Sequence, residues 1–243
     1  MMKTTTKKLS VYRLTLEIGR FCDQECDHCL RGCRQNISMA KETITKTLEQ
    51  IDRIGEFTFT GGEPFLYIEE IMFTLSELKR FGISVDFFFI STNGQHFSGT
   101  VLETIYALYE YCDEKDMFTI RISADQFHEE LFNDRIAAWQ TMSFVYYEDG
   151  NRNEDYLLQE GNADENGWNT GRFPQDDEVA FYEESCEVAE GNIYVNALGY
   201  VLFGCDYSYE TQKSKAKGFI MDDTLWDIIA ANADTIYPCE FAA

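Results

Sequence analysis

VYRLTLEIGRFCDQECDHCLRGC, residues Val11–Cys33, decides how the rest of the chain is read. It opens with alternating residues, Tyr12, Leu14, Leu16 and Ile18 being the apolar set, which is the period of a strand. The loop that follows carries Cys22, Cys26 and Cys29 in a C-x3-C-x2-C run. Three thiolates on so short a loop can converge on one small soft inorganic centre, zinc or iron–sulfur. A structural zinc site usually pairs its ligands in two separated knuckles. Here no obvious second pair follows, and the only histidines are His28, His96 and His128. Iron–sulfur is the better match. Cys33 extends the run to C-x3-C-x2-C-x3-C, and spacing alone leaves two readings open. Four thiolates would close a cluster for electron transfer or redox sensing, whereas three would leave one iron free for a ligand.

Working outward, strands and helices alternate. Ser38 can cap a helix to about Arg53, with Ile44, Leu48, Ile51 and Ile54 on one face. Then come a strand Glu56–Thr60, a helix Ile68–Phe81, an apolar strand Ser84–Ile90 and a helix near Thr100–Cys112. A strand Met117–Ser123, a helix Gln126–Trp139 and a strand Met142–Tyr147 complete the pattern. Alternation of this kind predicts an α/β fold on a parallel sheet. Polar groups follow the strands: Gly61-Gly62-Glu63-Pro64, Ser91-Thr92-Asn93-Gly94 and Ser123-Ala124-Asp125. All fall at the carboxyl ends, where parallel α/β folds bind ligands. Paired glycines let the backbone approach a ligand closely, and Glu63 can pair with an ammonium group.

The 243 residues allow one domain with an appendage. We read residues 1–150 as the core and 151–243 as an acidic, mostly irregular extension. With 43 Asp+Glu against 20 Lys+Arg, the net charge is −23, which argues against nucleic acid or an anionic membrane as the main partner. No apolar run is long enough for a membrane span, and MMKTTTKKLS has no apolar stretch behind its basic residues, so a cytoplasmic location is expected. Eight cysteines without an export signal point to metal binding or chemistry rather than disulfides. About half of the excess charge lies between Glu148 and Glu190, where fourteen acids meet only Arg152 and Arg172. This segment reads as a surface stretch or lid with a strand near Tyr156–Leu158. A hairpin, Ile193–Val195 and Tyr200–Phe203, and a helix near Asp223–Ala231 follow.

The cysteine run followed by GGEP resembles the radical S-adenosylmethionine (SAM) superfamily. The resemblance spans about residues 10–147 and implies a partial (β/α)6 TIM-type barrel whose sixth strand would come from the acidic region. It implies an oxidoreductase-type radical enzyme: Cys22, Cys26 and Cys29 hold a [4Fe–4S] cluster, and SAM, bound at its open iron, is cleaved reductively to a 5′-deoxyadenosyl radical. On the same basis His28 packs against adenine, and Gly61, Gly62, Glu63 and Pro64 hold the methionine end. Ser91, Asn93, Ser123 and Asp125 face the ribose and carboxylate. A flavodoxin or ferredoxin would serve as reductant. Cys33 has no role in that scheme and is expected to be free, and Cys112 to be core. Cys186, Cys205 and Cys239 vaguely resemble an auxiliary-cluster extension but are too sparse for a complete one, so core or loop thiols are expected. The CLRG stretch and the Cys186/Cys205 pair tilt the substrate toward a peptide or protein, and the acidic segment would suit a basic peptide. Arg172 is a candidate for a substrate carboxylate. The size and GGEP are also similar to 7-carboxy-7-deazaguanine synthase and to glycyl-radical activases.

Overall fold

The computed structural model describes residues 8–148, 150, 155, 157–168, 170–182 and 187–237. Leu9–Gly19 forms β1 and leads straight into the cysteine loop. Lys41–Leu48 (α1) crosses to Ile51–Gly61 (β2), which pairs β1 in parallel from Leu9 opposite Ile51 to Gly19 opposite Gly61. Ile68–Phe81 (α2) leads to Ser84–Thr92 (β3), and Gly99–Tyr111 (α3) leads to Thr119–Ser123 (β4). Asn133–Trp139 (α4) precedes Val145–Glu148 (β5). β1 to β5 lie side by side in chain order, all parallel.

The expected helix to Arg53 stops at Leu48, because Ile51 and Ile54 belong to β2. Both isoleucines are fully buried there, in pairing with Leu9 and Val11, and long-range strand pairing overrides the helical spacing. Ser38 caps nothing; it bridges Gly19 instead. The helix expected from Gln126 begins only at Asn133, since the Asp125 carboxylate holds the Phe127 N–H at 3.1 Å in a turn. β4 begins two residues later than expected, after a 3-10 turn at Lys115–Met117, and β5 begins at Val145. α2 matches its expected bounds and stops at Gly82, whose φ of 68° lets its N–H reach the Leu78 and Lys79 carbonyls.

The second half departs most from expectation. Asn162–Glu165 is a single helical turn (α5), followed by the short strands Ala180–Tyr182 (β6) and Glu187–Glu190 (β7). Ile193–Val195 (β8) and Tyr200–Phe203 (β9) form the expected hairpin. Gln212–Lys215 (α6), Gly218–Phe219 (β10), Leu225–Asn232 (α7) and Thr235–Tyr237 (β11) follow. β7 and β8 both run parallel to β1, on the side away from β2. The added parallel strands therefore extend the β1 edge instead of following β5, and the sheet stays open, with β10 and β5 at the two ends of its main path. Tyr156 lies outside the described residues, and Leu157–Leu158 are not in a strand. No helix among the described residues is long and apolar enough to cross a membrane.

The core follows from strand alternation. Leu14, Leu16 and Ile18 join an apolar cluster with Ile44, Leu75 and Phe88, reinforced by the contacting rings of Phe57, Phe59 and Phe88. The alternate β1 residues Thr15 and Glu17 are equally buried, but against the C-terminal elements: the Thr15 hydroxyl donates to Asn192 Oδ1 at 2.8 Å. β1 is thus covered on both faces.

Candidate active site

The carboxyl ends of β1 to β4 open on one cavity of about 460 Å³. Cys22, Cys26, His28 and Cys29 line it, together with Gly61, Gly62, Glu63, Ser91, Asn93, Ser123 and Asp125. Pro64 is buried and opens a 3-10 turn, Pro64–Leu66, without reaching the cavity lining. Cys33 is exposed and outside the lining, and Cys112 is buried at the end of α3. Cys205 does line the cavity, whereas Cys186 and Cys239 lie outside the described residues.

The cysteine loop is held from three sides. Its own turns run from Cys29 N–H to the Cys26 carbonyl and from Gly32 N–H to the Cys29 carbonyl, both 3.1 Å. Asn93 Nδ2 donates to Asp23 Oδ1 at 2.8 Å, and His96 Nε2 meets the other Asp23 oxygen at 2.9 Å. From the acidic extension, Asn162 donates its backbone N–H to the Cys29 carbonyl (2.9 Å) and its Nδ2 to the Cys26 carbonyl (2.8 Å). Gly161 allows this approach, because a methyl there would stand 2.6 Å from the Cys29 oxygen. Part of the segment read as a surface stretch or lid is therefore the bracket under the cysteine loop.

The paired glycines serve chain-to-chain contact. The Gly62 N–H donates to the Gly19 carbonyl at 2.9 Å and the Glu63 N–H to the Phe21 carbonyl at 3.0 Å, latching the turn to the start of the cysteine loop. A methyl at Gly62 would lie 2.1 Å from the Phe21 oxygen. Gly62→Ala is expected to cost about 1–3 kcal/mol and to lower iron uptake, since relief of the clash must displace the loop; thermal unfolding and iron content read both.

Glu63 is buried. Its Oε1 accepts from the Phe65 N–H (3.0 Å) and the Thr92 hydroxyl (2.8 Å), and Oε2 from the Asn93 N–H (2.8 Å). One lone-pair direction on Oε2 remains for a ligand. Burial pushes this carboxyl up to about 7, against the pull of the Asn93, Phe65 and Thr92 donors. An unfolded Glu titrates near ~4.3, so between the two values the folded state keeps a proton that the unfolded state has lost. Stability must then fall as pH rises through this window, by about 3–4 kcal/mol from this residue. Unfolding free energies of the metal-free chain from about pH 4 to about pH 8 should fall that much more in wild type than in Glu63→Gln. Equal slopes would contradict the assignment.

Two of the loop thiols resist ionisation. Burial pushes Cys22 up to about 11 and Cys26 up to about 12, with neighbouring thiols adding to both. Ligation must therefore expel protons, as thiolate metal sites do. Among the described residues no three His, Cys, Asp or Glu side chains meet closely enough to share one metal ion. Three cysteines bound to separate irons of a cube need not meet at a point. Two buried nitrogens on the lining also lack hydrogen-bond partners among the described residues, Gln24 Nε2 and His28 Nδ1. Burial, then His128, lowers His28 to about 4, so its ring is neutral. This chemistry fits an iron–sulfur cube with a ligand beside it.

Sequence reading overlooked several residues here. His128 lines the cavity, bonds Asp125 Oδ1 at 2.6 Å and meets the His28 ring edge-on at 4.7 Å. Thr92 was quoted only as part of a turn, Arg31 only as a letter of the CLRG stretch with no role of its own, and Arg121 not at all; all three reach the lining. Arg172 lines it too.

The sequence matches the family model of the Radical SAM superfamily over residues 16–145. A GTP 3′,8-cyclase of Rhizobium etli (strain CIAT 652) is 29% identical over 146 residues, 56% of this chain and 38% of that protein. The chain thus spans about two fifths of that relative's length. In fold, it resembles the structure described as native anSMEcpe with bound AdoMet and Cp18Cys peptide, with a TM-score of 0.56 at 13% identity, covering 92% of this chain and 81% of the other. A hexahistidine-tagged form of anSMEcpe with bound AdoMet gives 0.53 at 12% identity, covering 90% and 80%.

Proposed function

The chain belongs to the Radical SAM superfamily, and from that premise we propose that it is a radical SAM enzyme with Cys22, Cys26 and Cys29 as cluster ligands. When bound, the [4Fe–4S] cluster supplies the electron that cleaves S-adenosylmethionine to a 5′-deoxyadenosyl radical. The chain's own residues do the placing. Glu63 offers its free lone pair to the ammonium group, and neutral His28 offers an uncharged ring to adenine. Ser91, Asn93, Ser123 and Asp125 offer polar groups to the ribose and carboxylate. Asn93 has a second role through Asp23, fixing the cysteine loop. A low-potential flavodoxin or ferredoxin is the proposed reductant and the cytoplasm the proposed location. A peptide or protein is the proposed substrate: anSMEcpe, of similar fold, was captured with a peptide, and the CLRG stretch points the same way.

The convergence of the three cysteines and three separate strand ends on one cavity carries this reading. Anaerobic reconstitution with iron and sulfide, then SAM and dithionite, should yield 5′-deoxyadenosine. An intact cluster that yields none would overturn it. Cys33→Ala should keep both its cluster and 5′-deoxyadenosine formation, because Cys33 is exposed and off the lining. Cluster loss in that variant would favour a four-cysteine electron carrier.

A further inference from the structure

The cavity of this acidic protein holds a buried cation that has no ionic partner among the described residues. Arg31 lines it at 7% exposure. Its Nη1 donates to the Tyr207 carbonyl at 2.6 Å, and its guanidinium lies over the Tyr194 ring, 5.1 Å from the centroid. Among the described residues Nε and Nη2 make no hydrogen bond, and no carboxylate stands within ion-pair distance. Glu17, a nearby acid, is saturated by Arg20, Tyr194, Gln212 and the Ala197 N–H. A guanidinium so placed is a fork of N–H donors waiting for a planar anion.

We infer that Arg31 positions the substrate by binding a carboxylate at the wall of the cavity formed with Cys205 and Asp206. This rests on the reading that the cavity is the radical SAM site. The wall is separate from the Glu63 corner, which is built from Phe65, Thr92 and Asn93, whereas Arg31 is fixed by Tyr194 and Tyr207 of the C-terminal part. A carboxylate is favoured over a phosphate because Glu63, Asp125, Glu148 and Asp206 share the lining, and a dianion would be repelled more strongly.

The test uses the reconstituted holoenzyme with N-acetylglutamate α-amide as the carboxylate probe, N-acetylglutamine amide as its neutral counterpart, and inorganic phosphate and GTP as further arms. Saturation-transfer NMR with titration should show the carboxylate binding at least ~10-fold more tightly than the amide. Arg31→Gln should abolish that preference, and Arg31→Lys should keep part of it as a point charge. Equal binding of the amide, a preference that survives in Arg31→Gln, or tighter binding of phosphate or GTP would overturn the inference. So would a loss of SAM affinity in Arg31→Gln comparable to the loss of probe, since the carboxylate would then be the cofactor's own. If Arg31→Gln fails to fold, the wild-type comparison and Arg31→Lys decide. Wild type that shows the probe preference but no SAM binding would sink the radical SAM reading and leave Arg31 standing.

Discussion

Cys26→Ala is expected to give a folded chain that takes up little iron and forms no measurable 5′-deoxyadenosine. The separation of the two effects is the point. Cys26 is half-buried on a loop, outside the apolar core, and its recorded side-chain contact is with Gln24 Oε1 at 3.6 Å. Its truncation should move stability by no more than about 0.5 kcal/mol, as at other loop positions away from the core. A cube held by three cysteines would keep two. Loss of residues that merely support metal ligands costs roughly 10–100-fold in affinity or activity, and loss of a ligand should exceed that. Cys26→Ser tests the chemistry further, since a hydroxyl in the same place is a poor substitute for a soft thiolate. Iron and sulfide content, with circular dichroism as the fold control, read the result. A Cys26→Ala protein with full cluster content would remove Cys26 from the ligand set and return Cys33 to consideration.

What the sequence made legible is what local chemistry repeats. Strand alternation in β1, the apolar run of β3 and the amphipathic face of α2 each satisfy a rule that neighbouring residues alone can test. The cysteine run was readable because the inorganic centre it would serve fixes its spacing, and GGEP because its glycines must pass close to the Gly19 and Phe21 carbonyls. The boundary at Ile51 was not readable, since Ile44, Leu48 and Ile51 fit a helix until Leu9 and Val11 supply a strand partner some 40 residues away. The β1 edge was missed for the same reason: nothing in Ile193–Val195 announces that it will lie beside Leu14–Leu16. The extension's bracket depends on Asn162 meeting carbonyls more than 130 residues earlier, and backbone carbonyls carry no sequence signal. Arg31 stood within the CLRG stretch in plain view, but its burial depends on Tyr194 and Tyr207.

The largest expected loss of stability comes from Glu17→Ala, at about 3–5 kcal/mol. Glu17 is fully buried on β1, and both its oxygens are occupied. Oε1 accepts from Arg20 Nε at 2.6 Å and the Ala197 N–H at 3.0 Å; Oε2 accepts from the Tyr194 hydroxyl at 2.6 Å and Gln212 Nε2 at 2.7 Å. Arg20, equally buried, spends its other nitrogens on Gln35 and Gln212. Removal of the carboxylate strands a buried guanidinium and three further donors at once, and desolvated groups left unpaired cost more than the bonds were worth. The damage should be local first. Tyr194 and Ala197 belong to the β8–β9 hairpin, so denaturant unfolding should show a lower midpoint while hydrogen exchange accelerates most across residues 193–203. It should also reach the site, because Arg20 is two residues from Cys22 and the loop begins where β1 ends. A double-mutant cycle with Tyr194→Phe separates the network from simple cavity formation, since a shared network makes the two losses less than additive. Additive losses, or a Glu17→Ala chain within about 1 kcal/mol of wild type, would mean that apolar packing alone docks the C-terminal half onto β1.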